Sequence, residues 1–92
     1  VAQKFWGVLD KYKIKKESRT GYSIGIGYPP DWGEHTLNIY KGDMTVLQPN
    51  VCFHMIAVMQ FGEWGVEASE SVRVTENGSE LFCNFSRELH IK

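Results

Sequence analysis

The sequence predicts an α+β fold, with one N-terminal helix followed by a mostly antiparallel, curved sheet. Three observations carry this. Apolar residues recur at spacings of three and four from Val1 to Ile14, a two-residue period takes over after Gly21, and Gly, Pro and Asn then cut the chain into short segments joined as hairpins. With 92 residues, 42% of them hydrophobic, the chain can bury roughly 60–65% of its unfolded surface, enough for one modest core. Residues 1–92 are therefore taken as one unit.

The helical face consists of Val1, Phe5, Trp6, Val8, Leu9 and Tyr12, and Lys13, Lys15 and Lys16 follow where cations complement a helix dipole. Tyr22 to Tyr28 alternates Gly or Ser with Tyr and Ile, as expected of a strand that something approaches closely. The run Tyr28-Pro29-Pro30-Asp31-Trp32-Gly33 has to be a loop, because two prolines remove donors and fix φ. Thr36–Tyr40 and Met44–Leu47 are short strand candidates around a Lys41-Gly42-Asp43 turn. Val51–Gln60 is the most apolar stretch and is expected to be a strand buried on both faces. After a turn at Gly62–Gly65, Val66–Thr75 is β-branched, and Asn77-Gly78 is a strong hairpin signal leading to Leu81–Cys83. The strands are expected to follow one another as a meander. One helix covers only one face of such a sheet, so the other face needs cover from elsewhere.

Composition excludes several classes of function. Ten basic and eleven acidic side chains leave a net charge of −1 and no long basic stripe, so no nucleic-acid partner is expected. The apolar stretch Val51–Phe61 is far short of the roughly 20 residues of a membrane span, so no membrane partner is expected either. Cys52 and Cys83 sit in apolar stretches and are too few for a disulfide scaffold or a zinc site. They are expected to be buried, in a cytoplasmic protein. The chain opens on Val1 inside an amphipathic pattern, as though it were the end of something longer.

Polar residues in apolar strands are the candidates for chemistry, because burying one unpaired costs about 1–3 kcal/mol. His54 in the apolar strand is either a satisfied core histidine or a proton-transfer group. Glu67 and Glu70 lie three apart, so on a regular strand they face opposite sides and only one can line a given pocket. The aromatic loop from Tyr28 to His35, with Trp32, is either a pocket wall or packing against its own sheet. Histidine spacing gives no metal signature.

Gly21-Tyr22-Ser23-Ile24-Gly25, Gly42-Asp43, Val46-Leu47, Pro49-Asn50, Phe53 and Val72-Arg73-Val74-Thr75-Glu76-Asn77-Gly78 resemble, in order and spacing, the C-terminal part of the pita-bread superfamily of creatinases, prolidases and aminopeptidases. The resemblance implies a homodimeric hydrolase of which this chain is a C-terminal portion, inactive without the remainder of the catalytic domain. Metal-dependent members take one His and two Glu ligands from this region, and these positions fall on Tyr22, Ile56 and Ser69. None of the three suits a metal in that role, so the resemblance implies neither metal nor cofactor. Within the superfamily the chain looks most like ectoine hydrolases, which open a cyclic amidine to acetylated diaminobutyrate.

On that resemblance His54, Glu70 and Tyr22 are the expected catalytic residues, and Trp32, Trp64, Glu67 and Tyr28 the expected substrate contacts. A base, a carboxylate facing a cationic ring and aromatic walls are what water attack on an amidinium carbon requires. The alternatives are an Xaa-Pro dipeptidase, a creatinase-like hydrolase, or a catalytically degenerate binding domain of the same fold.

Overall fold

Helix α1 spans Ala2–Lys11 and is followed by strands β1 (Gly21–Ile24), β2 (Gly33–Ile39), β3 (Cys52–Phe61), β4 (Trp64–Thr75) and β5 (Gly78–Leu81). The structure, a computed structural model, describes residues 1–16, 18–31 and 33–92. The α+β class is as the sequence predicts.

The helix stops three residues before the hydrophobic period does. Lys13 adopts φ +56°, and the N–H groups of Ile14 and Lys13 donate to the carbonyls of Leu9 and Asp10, a paired closure that caps the last turn. A lysine in the left-handed position gives no glycine signal, which is why periodicity alone overruns the end. The apolar surface of α1 consists of two adjacent stripes. Ala2, Trp6 and Leu9 are buried, whereas Val1, Val8 and Tyr12 stay exposed, so the sheet uses only half of the expected face.

All neighbours in the sheet are antiparallel, in the order β2-β1-β3-β4-β5. This corrects the meander, since β3 pairs with β1 and not with β2. Strand β1 is also shorter than expected, because the Glu34 carboxylate accepts the Gly27 N–H at 2.7 Å and diverts the chain from the ladder. Met44–Leu47 forms no strand. The Asp43 side chain takes the Thr45 N–H at 2.8 Å, and Met44 and Val46 point into solvent. The last hairpin turns one residue early, at Glu76-Asn77, with Thr75 opposite Gly78. That register sets Val72 opposite Leu81 and pairs the side chains of Arg73 and Glu80.

Alternation along the strands divides the sheet into two faces. Phe53, only 1% exposed, packs with Ala2, Trp6 and Ile39 on the face under α1, and Leu37, Met55 and Val72 border this core. Strand β3 is not buried on both faces as expected. Only Phe53 is enclosed, because a ten-residue strand outruns the helix that covers it. The cysteines correct a second burial expectation: Cys52 is half-buried and Cys83 exposed, since the chain after β5 has nothing over it. Phe82, Phe85, Leu89 and Ile91 are exposed there as well. No helix among the described residues is long and apolar enough to cross a membrane.

Candidate functional site

On the face opposite α1, four residues form a row across four strands. Asn38 of β2 is paired with Tyr22 of β1, Tyr22 with His54 of β3, and His54 with Ser71 of β4. Direct cross-strand neighbours on one face are within side-chain reach, so these residues meet although they are far apart in sequence. The Tyr22 and His54 rings lie 5.5 Å apart, tilted by 53°. His54 Nδ1 and Ser71 Oγ are 3.2 Å apart, with the donor set by the imidazole tautomer. Arg19 completes the row at its outer end. Its guanidinium carbon is 4.8 Å from the centre of the Tyr22 ring, and Nη1 donates to Asn38 Oδ1 at 2.6 Å. Tyr22, Ile24, Gly25, Gly27, His54 and Ser71 enclose an open hollow of about 360 Å³.

The loop beside this hollow is held by its own side chains. Asp31 accepts the Gly33 N–H at 2.9 Å and a hydrogen bond from His35. The Gly33 donor, followed by His35, holds the Asp31 carboxyl below the usual aspartate range. Tyr28 is exposed, and its carbonyl accepts the Asp31 N–H. The predicted contact Trp32 lies outside the described residues.

The remaining predicted site residues are spread over both faces. Glu67, opposite Val58, shares the face of Tyr22 and His54. Glu70, opposite Met55, is on the α1 face, where its carboxylate accepts Arg87 Nε at 3.1 Å. The three-residue spacing makes this separation unavoidable in an unbulged strand, so the Glu70 and His54 side chains start from opposite faces although both residues border one groove. Trp64 stacks on Phe61 at the β3–β4 hairpin end, centroids 4.6 Å apart, also on the α1 face. At about 3.3 Å per residue, that end lies roughly 23 Å along β3 from His54. A wider groove of about 790 Å³, bordered by Phe5, Thr20, Met55, Glu70 and Arg87, is lined also by His54 and Ser71 of the row and by Glu67, and the buried Thr20 hydroxyl beside it has no hydrogen-bond partner.

The register also tests the positions singled out for metal ligands. Ile56 is directly opposite Ser69, on the same face as Tyr22 and next to the His54–Ser71 pair. These three side chains are an alkyl group, a hydroxyl and a phenol. Among the described residues, no three His, Cys, Asp or Glu side chains converge as metal ligands would. Sequence reasoning missed Arg19, Asn38 and Ser71. Each is an ordinary polar residue whose significance lies in its cross-strand neighbour.

No family model matches the chain. It is 40% identical over 93 residues, covering 100% of its length, to the ectoine hydrolase of Halomonas elongata, of which the match covers 23%. Two uncharacterized hydrolase/peptidases of Sinorhizobium fredii are each 40% identical to it, covering 91% and 97% of this chain and 21% and 22% of those proteins. The chain thus spans about a fifth of the length of the curated relatives it matches. The resemblance to ectoine hydrolase read from the sequence is borne out, and along nearly all its length the chain is a relative of these hydrolases.

Proposed function

From this kinship we infer that the chain forms one wall of the active site in a metal-independent C–N hydrolase of pita-bread type, and that the ring it helps to open is that of ectoine. One observation carries the reading. The Tyr22–His54–Ser71 row adjoins Ile56 and Ser69 on one face, so the positions at which the peptidases of this superfamily hold metal carry a phenol, an alkyl group and a hydroxyl beside a histidine. The exposed stripe Val1, Val8 and Tyr12, with Phe82, Phe85, Leu89 and Ile91, supports further polypeptide of the same catalytic domain packing around this piece.

The chemistry follows from the row. Water adds to the amidinium carbon as His54 Nε2 takes its proton, Nδ1 being engaged by Ser71. One ring C–N bond then breaks as the adduct's hydroxyl becomes the amide carbonyl; the departing nitrogen takes the water-derived proton from His54 and the hydroxyl proton, leaving as an ammonium, and an acetylated diamine remains. Tyr22 forms the wall beside the imidazole. Glu67, on the same face but about 13 Å along β4 from Ser71, shares the wider groove with His54 and Ser71 and is the carboxylate that would face a cationic ring bound there, whereas Glu70 is held by Arg87 across the sheet. Gly25 and Gly27 border the opening, and Tyr28, next in the chain, is exposed beside it without lining it.

The test is a screen of the protein at its native length against ectoine, creatine and Xaa-Pro dipeptides, with and without a chelator. Ectoine ring opening that a chelator leaves unchanged is expected, and His54→Ala should lower kcat by about 10²–10⁴-fold. Chelator-sensitive cleavage of Xaa-Pro dipeptides would overturn the reading in favour of a peptidase. Turnover of none of the three would favour a binding domain. Undiminished turnover in His54→Ala would remove His54 from the chemistry.

A further inference from the structure

We propose that Arg19 is the carboxylate-recognition residue of this site, fixing the substrate's acid group at the outer end of the Tyr22–His54–Ser71 row. The inference rests on the ectoine reading, because that compound carries a carboxylate on the ring whose amidinium carbon is attacked. The geometry is that of a clamped guanidinium. It lies over the Tyr22 ring at 4.8 Å and is tied by Nη1 to Asn38, which places it at the outer end of the face that carries His54. Among the described residues no other hydrogen bond from the guanidinium occurs, which leaves Nε and Nη2, a two-donor fork of the shape that a carboxylate accepts.

The surroundings favour this use over a purely structural one. Among the described residues Asp31 is an acidic group that Arg19 influences, yet its oxygens are already taken by the Gly33 N–H and His35. Arg19 therefore does not spend its charge on the loop and holds it against the outer side of the Tyr22 ring. Tyr22 separates the guanidinium from His54, 4.8 Å on one side and 5.5 Å on the other. An anion at Arg19 and a reacting carbon at His54 can thus be parts of one small molecule lying across the Tyr22 ring. Sequence alone gives no hint of it, because Arg19 sits in a stretch without hydrophobic period.

The experiment compares ectoine with its analogue lacking the carboxylate, 2-methyl-1,4,5,6-tetrahydropyrimidine, in the native-length protein and in Arg19→Gln and Arg19→Lys variants. Both kcat/KM and equilibrium binding by calorimetry are read. The wild type should favour ectoine by about 10- to 100-fold, Arg19→Gln should erase that preference chiefly through KM, and Arg19→Lys should keep part of it. Equal losses on both compounds in Arg19→Gln would make the residue structural and overturn the proposal, as would a wild type with no preference. If ectoine binds with Arg19-dependent affinity but is not opened, the hydrolase reading fails while the anion site stands. If ectoine is opened equally well by wild type and Arg19→Gln, the anion site fails while the hydrolase reading stands.

Discussion

Gly21 governs how closely β1 approaches β3, and Gly21→Ala is the sharpest test of the row built on that approach. Gly21 lies between Ile39 and Met55 on the core side of β1, one residue from Tyr22. A Cβ there would stand 2.9 Å from the His54 carbonyl oxygen and 3.0 Å from Met55 Sδ. The thioether can swing aside; a carbonyl fixed in a strand cannot. Reaching an ordinary contact at 3.4 Å requires the two strands to separate by about 0.5 Å, the difference from 2.9 Å, at the point where Tyr22 faces His54. Overpacking of this kind costs about 1–3 kcal/mol, and the stiffer alanine backbone returns about 0.5–1 kcal/mol, so a net loss of about 1–2 kcal/mol is expected. Gly7→Ala is the matched control. A Cβ at Gly7 meets nothing within 4 Å, and in a helix interior the change should stabilise by about 0.5–1 kcal/mol. Urea denaturation of the native-length protein, read with ectoine turnover, measures both. A Gly21→Ala protein as stable and as active as wild type would refute the close packing of β1 on β3 and, with it, the Tyr22–His54 contact.

Two further predictions follow from the faces and the loop. Glu67→Gln should raise KM for ectoine by roughly three- to tenfold with little loss of stability, whereas Glu70→Gln should leave KM alone and cost at most about 1 kcal/mol through Arg87; the reverse pattern in kinetics and denaturation would invert the face assignment. Asp31 is held below the ordinary aspartate range near 3.9, so its contribution to the loop is complete above that range and is lost only as pH falls through the lower folded value. An NMR titration of the Gly33 amide should therefore show an acid midpoint below about 3.9, absent in Asp31→Asn, and a midpoint at or above 3.9 would contradict the hydrogen-bonded loop.

How much of the fold was legible depended on whether the deciding interaction is local. Hydrophobic period alone located α1, β3 and β4, because burial of one face is written into the spacing. It failed where a single side chain captured a backbone donor. Asp43 on the Thr45 N–H prevents the expected strand at Met44–Leu47, and Glu34 on the Gly27 N–H cuts β1 short. It failed again at Lys13, where a non-glycine residue takes a glycine conformation. The order of strands was illegible for a different reason: nothing in the residues of β2 says that β3 passes it to pair with β1.

The site was legible in the residues that a likeness could label and illegible in those defined by pairing. Tyr22 and His54 were both chosen from the sequence, yet their adjacency arises only from the β1–β3 register, which also adds Ser71 and Asn38. The same register bears on the metal question. The positions to which the resemblance assigns metal ligands carry Tyr22, Ile56 and Ser69, which share one face and include no His, Asp or Glu. The neighbouring row keeps an imidazole braced by a hydroxyl at 3.2 Å. Under the proposed function an imidazole paired with a hydroxyl beside these positions is the group that would handle the proton without a metal, and the chelator screen separates that reading from a binding domain.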